Sequence, residues 1–321
     1  MGSKTVIRPR AIAPGSRVAL VTPAGPLSEH DDLARGLELC RALGWEPVAG
    51  AHVLARHGYL AGSDAERLAD LNDALTSPEI DAVWCLRGGY GLTRILDQVD
   101  FAGFARRPKP VIGFSDVTSL LVGLHQATSV VTIHGPMARA PLSAFSAGHF
   151  TRVLTAPSPP GRLAALPLPA GVLVPRAPRV VALHGGIAEG RLIGGNLTLL
   201  TCLIGTRHFP ELDGAVLFLE DVGEDLYRVD RMLAQWRMTG ALARLAGVMV
   251  GQFTELKRGT GDGGALAFDE VLSTYLRPLR VPVAYGFPIG HVDDQWTMPL
   301  GVRVRLDADA GTVELLEAAV Q

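Results

Sequence analysis

"KPVIGFSDVTSLLVGL", residues 109–124, begins as a short apolar strand, turns at Gly113-Phe114-Ser115-Asp116, and continues as an apolar helix. A strand feeding directly into a helix is the half-unit of a parallel sheet covered by helices, so this stretch argues for an α/β fold. It also raises a chemical question. A serine at the strand-to-helix turn can cap the helix, since Ser and Asp are favoured cap residues. The same position exposes its hydroxyl beside free backbone N–H groups, as a nucleophile requires. The nucleophile elbow of α/β hydrolases has glycine on both sides of its serine, and here only Gly113 is present. Both readings of Ser115 stay open on these residues.

On either side of this stretch the same alternation holds through residue 155. "RVALVT" (17–22), a run around "EPVAGAHVL", "DAVWCL" (81–86), "PVIG" (110–113) and "VVTI" (130–133) read as strands. Helical segments separate them. "SEHDDLARGLELCRALGW" has Ser28 as its expected cap and Leu33, Leu37 and Cys40 at helical spacing. "GSDAERLADLNDALTS" opens with Ser63 and Glu66 at capping-box spacing. The alternation predicts a parallel sheet of the Rossmann or flavodoxin type over residues 1–155. Residues 156–178 hold seven of the 22 prolines without helical or strand periodicity and read as a linker. Residues 179–321 then predict a mixed α/β domain rich in strands. "EGRLIGGNLTLLTCLIG" reads as strand, Gly-Gly turn and helix, "AVLFLED" as a strand ending in acids, and "TMPLGVRVRLDADAGTVELLEA" as an antiparallel hairpin.

Bulk composition narrows the function. The 321 residues are 48% hydrophobic and 19% charged with a formal net charge of -2, which gives no basic excess for nucleic acid or anionic membrane and favours a small-molecule partner. Cys40, Cys85 and Cys202 are far apart, so neither a disulfide framework nor a thiolate zinc site is expected, and a reducing cytoplasm fits best. Neither a signal peptide nor a membrane span is expected.

A serine nucleophile needs a base, and the base an orienting acid. Of the nine histidines, His125 lies in an apolar helical run, and His30, His52, His57, His149 and His208 in polar or turn-rich stretches. His291, in "AYGFPIGHVDDQWTMPLG", occupies a loop from which an imidazole can reach a partner; His134 and His184 are comparable candidates at strand ends. "AVLFLEDVGEDLYRVDR" offers Glu220, Asp221 and Glu224, although acids there also suit the dipole of the following helix. "CLRGGYGLTRIL" (85–96) is a glycine-rich turn able to approach a ligand or donate to an oxyanion. Its glycines lack dinucleotide-binding spacing, and no cofactor or metal is expected: "HVDD" is too local to complete a metal site, and Cys85 reads as core.

Together these stretches resemble the LD-carboxypeptidases, serine peptidases of bacterial murein recycling, whose relatives include microcin-immunity peptidases. The resemblance is carried in order by "VTPAGP" (21–26), "GYLAGSDAERLADLNDAL" (58–75), "RGGYG" (87–91), "GFSD" (113–116), "HGPM" (134–137), "GRLIGGNL" (190–197), "LFLEDVGED" (217–225), "DRML" (230–233), and "GH" (290–291) ahead of "MPLG" (298–301). It implies a triad of Ser115, His291 and Glu220 assembled across the two domains, a muropeptide tetrapeptide losing its terminal D-alanine, and a homodimer. The N–H groups of Asp116 and of Gly88 or Gly89 are the expected oxyanion donors. An exopeptidase also needs a cation for a free carboxylate. Arg87, Arg94, Arg228 and Arg231 are open to that role, and Arg87, Tyr90 and Arg231 are the expected substrate contacts. A peptidase of acylated or peptidyl nucleotides and a non-catalytic peptide binder are the alternatives.

Overall fold

The computed structural model describes residues 5–29, 31–166, 179–257 and 266–321; His30 and residues 167–178 of the proline-rich stretch lie outside the described residues. In chain order the first half runs β1 (Arg17–Val21), α1 (Asp32–Ala42), β2 (Glu46–Ala49), α2 (Asp64–Thr76), β3 (Ala82–Cys85), α3 (Leu92–Ile95), α4 (Phe101–Arg106), β4 (Val111–Gly113), α5 (Thr118–Thr128), β5 (Thr132–His134) and α6 (Ala144–Thr155). There follow β6 (Gly161–Arg162), β7 (Val181–His184), β8 (Ile187–Asn196), α7 (Leu197–Cys202), β9 (Val216–Val222), α8 (Leu226–Met238), β10 (Gly247–Thr254), α9 (Phe268–Leu276), β11 (Val283–Tyr285), β12 (Met298–Leu300), β13 (Arg303–Asp307) and β14 (Thr312–Leu315).

These strands form two sheets, ordered β12-β5-β4-β3-β1-β2 and β6-β14-β13-β8-β9-β10-β11-β7. In the first, β1 to β5 are parallel, as the alternation predicts. Strands β3 and β4 are buried along their whole length, which is why they read as unbroken apolar runs rather than alternating ones. In such a sheet ligands bind beyond the carboxyl ends of the strands, where Gly25, Gly88 and Ser115 follow β1, β3 and β4. The second sheet is mixed: β8 to β11 are parallel, and β13 and β14 make the expected hairpin.

Two pieces of chain cross between the halves. β6, inside the proline-rich stretch, pairs with β14. β12 leaves the C-terminal half altogether and pairs antiparallel with β5, Met298 opposite His134. "TMPL" is therefore an edge strand of the first sheet and not part of the hairpin. The buried apolar side chains of both halves form one continuous cluster, with Trp84 packed on Phe150 at a ring separation of 4.9 Å.

Local chemistry corrects two further expectations. Ser63 and Glu66 do form the capping box of α2, but Ser28 does not cap α1. That helix starts at Asp32, whose buried carboxylate accepts the N–H groups of Ser28 (2.8 Å) and Glu29 (3.0 Å) and so folds the preceding loop over the helix end. Gly194 and Gly195 are not a turn either. They lie within β8 at φ 159° and 142°, where a Cβ on Gly194 would stand 2.1 Å from the Phe218 carbonyl oxygen and one on Gly195 2.5 Å from Thr118. The glycines allow β8 to pass close to β9 and to α5 of the other half. Gly194→Ala is expected to cost at least about 2 kcal/mol, from the strained φ plus the collision with backbone; a urea-unfolding midpoint measures it, and an unchanged midpoint would contradict this packing.

Candidate active site

Ser115 follows β4 at φ +59°, in the left-handed region that a non-glycine residue enters only when its surroundings hold it there. Its side chain makes no helix-capping bond: a single 3-10 turn, Ser115–Val117, leads into α5, and the residue before that turn is Phe114. The Ser115 hydroxyl has no hydrogen-bond partner among the described residues, and the cap reading fails for that reason. Gly88 explains how the turn is accommodated. A Cβ there would lie 2.9 Å from Ser115 Cβ, 3.0 Å from Ser115 Oγ and 3.4 Å from the Asp116 nitrogen, so only glycine lets the two turns meet. The Asp116 side chain ties them together, its buried carboxylate accepting the Leu92 N–H at 2.9 Å. Burial outweighs the hydrogen bonds from Leu92 and Gly91 and pushes this carboxyl up to about 6.

The second half brings a histidine and a carboxylate to the same place. Along β9 successive side chains alternate, and Glu220 and Asp221 have separate tasks. Glu220 is fully buried, and its Oε2 is 2.8 Å from His291 Nδ1. Gly290, at φ +109°, makes this approach feasible, because a Cβ there would stand 2.6 Å from Glu220 Oε2. Asp221 instead accepts from Asn196 Nδ2 at 2.8 Å and from the N–H and hydroxyl of Thr198, fixing the start of α7. Glu224 Oε1, at 3.2 Å, competes with Asp221 for the single proton of the same Thr198 hydroxyl. The His291 loop is fastened to α6, where Ser143 donates to Asp294 and the Ser146 hydroxyl donates to the Asp293 carbonyl at 2.8 Å. "HVDD" thus holds the loop down.

The two halves touch at Phe114, whose ring is 4.7 Å from that of His291. The imidazole therefore packs, at an interplanar angle of 60°, against the residue preceding the serine. No hydrogen bond joins Ser115 Oγ to His291 Nε2; among the described residues both groups are without a hydrogen-bond partner, and they flank the same turn. A further bridge runs through the backbone, the Asn196 N–H donating to Thr118 Oγ1 at 3.1 Å.

His134 lies behind this pair. It is fully buried, its ring 5.8 Å from Phe114 and 5.1 Å from Phe218, and neither ring nitrogen has a hydrogen-bond partner among the described residues. Burial first, and the charge of His291 second, push it down to about 3, so it is a neutral core imidazole and not an accessible base. His184 lies in β7, its Nδ1 3.0 Å from the Gly185 carbonyl oxygen. Cys85 is core, its thiol pushed up to about 12 by burial.

The arginines separate as well. Arg94 ion-pairs with Asp64 at 2.8 Å, and Arg228 lies beside Asp225 at 3.4 Å. Arg231 sits over the Tyr227 ring on α8 at 5.2 Å. Arg87 and Tyr90 instead line one cavity with Gly89, next to the Gly88 contact, together with Arg56 and Tyr59, which the sequence analysis did not single out. Arg56 follows β2 in an irregular segment, and no pattern around it marked it.

The chain is similar to known proteins along nearly its whole length. Residues 18–135 match the LD-carboxypeptidase N-terminal domain, and residues 189–306 the LD-carboxypeptidase C-terminal domain. The chain belongs to the LD-carboxypeptidase family. It is 36% identical to the murein tetrapeptide carboxypeptidase of Pseudomonas aeruginosa, over 91% of this chain and 94% of that one. It is 34% identical to a probable murein peptide carboxypeptidase of Bacillus subtilis, over 98% and 95%. The crystal structure of muramoyltetrapeptide carboxypeptidase from Oxalobacter formigenes superposes with a TM-score of 0.78 at 33% identity, covering 94% of this chain and 98% of that one. The microcin self-immunity protein MccF shares the fold, with a TM-score of 0.87 at 24% identity over 98% of this chain and 100% of that one. Among the described residues no helix is long and apolar enough to cross a membrane, and no group of three or more His, Cys, Asp or Glu side chains is placed to hold a metal ion.

His134 makes the site acid-sensitive. Its folded-state value lies below the unfolded one of 6.5, so the unfolded chain binds a proton that the folded chain refuses. Its contribution to stability is complete above pH 6.5 and is lost on acidification towards pH 3, by on the order of 1.4 kcal/mol per pH unit. Denaturant unfolding of wild type and His134→Leu between pH 4 and pH 7 should give a shallower pH slope in the variant; identical slopes would contradict a buried neutral imidazole.

Proposed function

We propose that this chain is a serine carboxypeptidase that hydrolyses the amide between an L-centre and a terminal D-alanine in murein tetrapeptides. The observation that carries this reading is the His291–Glu220 pair at 2.8 Å, packed on Phe114 beside a Ser115 held in a left-handed turn. The murein peptide substrate comes from the relatives.

In this reading substrate binding closes the remaining space between Ser115 Oγ and His291 Nε2, a contact that commonly tightens only in the loaded enzyme. Ser115 Oγ attacks the scissile carbonyl and His291 takes its proton. Glu220, accepting from Nδ1–H, keeps the imidazole in the tautomer whose Nε2 is basic and stabilises the imidazolium. The tetrahedral oxyanion is held by the N–H of Asp116 and of Gly88 or Gly89, each donor contributing on the order of a hundredfold or more in rate. His291 then protonates the departing amine, D-alanine leaves, and an acyl-Ser115 ester remains. Water, deprotonated by His291, hydrolyses the ester and restores the hydroxyl.

A second reading keeps this machinery and changes the substrate to a peptidyl or acylated nucleotide. The observation in its favour is the likeness to MccF, 26% identical over 95% of this chain. Assaying free D-alanine from tetrapeptide and pentapeptide, alongside hydrolysis of an aminoacyl sulfamoyl adenosine, separates them. The expected result is D-alanine from tetrapeptide, with Ser115→Ala slower by at least about 10⁴-fold. Cleavage of the nucleotide conjugate alone favours the second reading, release from pentapeptide alone contradicts LD specificity, and full activity in Ser115→Ala removes the nucleophile.

A further inference from the structure

At the amino ends of the first sheet's strands, across the sheet from Ser115, the chain encloses a separate cavity of about 520 Å³. Its walls are the segments that lead into β1, β3 and β4, with Ser16, Asp81 and Lys109 each just ahead of a strand, and residues 8–11 close it. Arg8, Arg10, Arg106, Arg107 and Lys109 line it, and Asp81 is the one acid among the described residues there. Part of this charge is already engaged. Arg8 Nε donates to the Ala318 carbonyl at 2.8 Å and its Nη2 lies 3.3 Å from Glu317, while the Asp81 carboxylate accepts the Arg17 N–H at 2.9 Å. Arg10, Arg106 and Arg107 are exposed, and among the described residues their side chains make no hydrogen bond or ion pair.

The buried member of the set is Lys109. It is 3% exposed, and its Nζ donates to the carbonyls of Ser77 at 2.7 Å and Ala74 at 3.2 Å. An ammonium has three donors, so one N–H is left without a partner among the described residues, and no carboxylate there pairs with it. Burial first and the charge of Arg107 second, against the pull of Asp81, push this ammonium down to about 8. A buried cation with an unused donor, beside three unpaired guanidiniums, is an arrangement that a bound anion stabilises.

The donor set also selects the kind of anion. A carboxylate occupies one guanidinium fork, whereas a phosphate monoester has three terminal oxygens and close to two charges, which matches several forks and an ammonium together. Pro9, Ala11, Ile80 and Pro108 complete the walls. They are apolar and without an aromatic ring, so they suit the carbon skeleton of a small ester and give a base nothing to stack on. We propose that the cavity of Arg10, Arg106, Arg107 and Lys109 is a binding site for phosphate, taken as the free ion or as a small monoester. The site does not depend on the peptidase reading, since Lys109 and Ser115 lie beyond opposite ends of β4.

Calorimetric titration of the full chain with inorganic phosphate and, separately, with glucose 1-phosphate, at an ionic strength held constant with sodium chloride, tests this. One saturable site per chain is expected, and the tighter of the two ligands shows whether the free ion or the ester is the natural occupant. Acetate should bind at least about tenfold more weakly. The double variant Arg106→Gln, Arg107→Gln changes exposed side chains only and should weaken phosphate binding by at least about tenfold. Lys109→Met should do the same; the double variant carries the decision where loss of a buried lysine disturbs the fold. Arg56→Met, in the cavity beside Gly89, should leave the affinity unchanged. Absence of a saturable site, equal binding of acetate, or an unchanged affinity in the double variant would overturn the assignment. Loss of binding in Arg56→Met would also overturn it, by moving the anion to the other cavity.

Discussion

The pairing of β12 with β5 is the constraint on which the site depends. Met298 opposite His134 stitches the C-terminal half of the chain to the far edge of the N-terminal sheet, and the loop just upstream, carrying Gly290 and His291, is thereby laid over the carboxyl end of β4. Without that strand exchange, an imidazole 176 positions from the serine would have only side-chain packing to locate it. With it, backbone hydrogen bonds on one side and the Ser143 and Ser146 anchors on the other fix the loop. The Glu220–His291 pair then meets Phe114 as a consequence of main-chain geometry.

Glycine at contact points does the remaining work. Gly88 lets the β3 turn reach Ser115, Gly290 lets Glu220 reach the His291 loop, and Gly195 lets β8 reach Thr118. Each is a place where a methyl group would separate elements that the chemistry requires to touch. The strained serine turn persists because it is enclosed by these contacts and by the Asp116–Leu92 bond. Local strain at a candidate nucleophile and close backbone packing around it are two aspects of one arrangement.

Much of this was legible in the residues. The apolar runs of β1, β3, β4 and β5 are buried on both faces, so hydrophobicity alone revealed them, and the Ser63–Glu66 box is encoded locally. Glu220 and His291 stood among several candidates, an acid directly after an apolar run and a histidine in a loop, and the family resemblance rather than local pattern singled them out from Asp221, Glu224, His134 and His184. What escaped depends on partners distant in sequence. Gly194 and Gly195 look like a turn until Phe218 and Thr118 are known to press on them. "TMPL" looks like the start of a hairpin because its pairing with β5 has no local signature. Arg56 and Arg87 come to line one cavity only through the fold, and Ser28 loses its cap because Asp32 turns back on the loop that contains it.

The central claim is that a hydroxyl of the first half and an imidazole–carboxylate pair of the second form one reactive unit. A fluorophosphonate probe followed by peptide mass spectrometry tests it most directly. The account predicts stoichiometric modification of Ser115 alone, slowed at least about a hundredfold in His291→Ala. No modification of Ser115, or modification at the same rate without the imidazole, would contradict it.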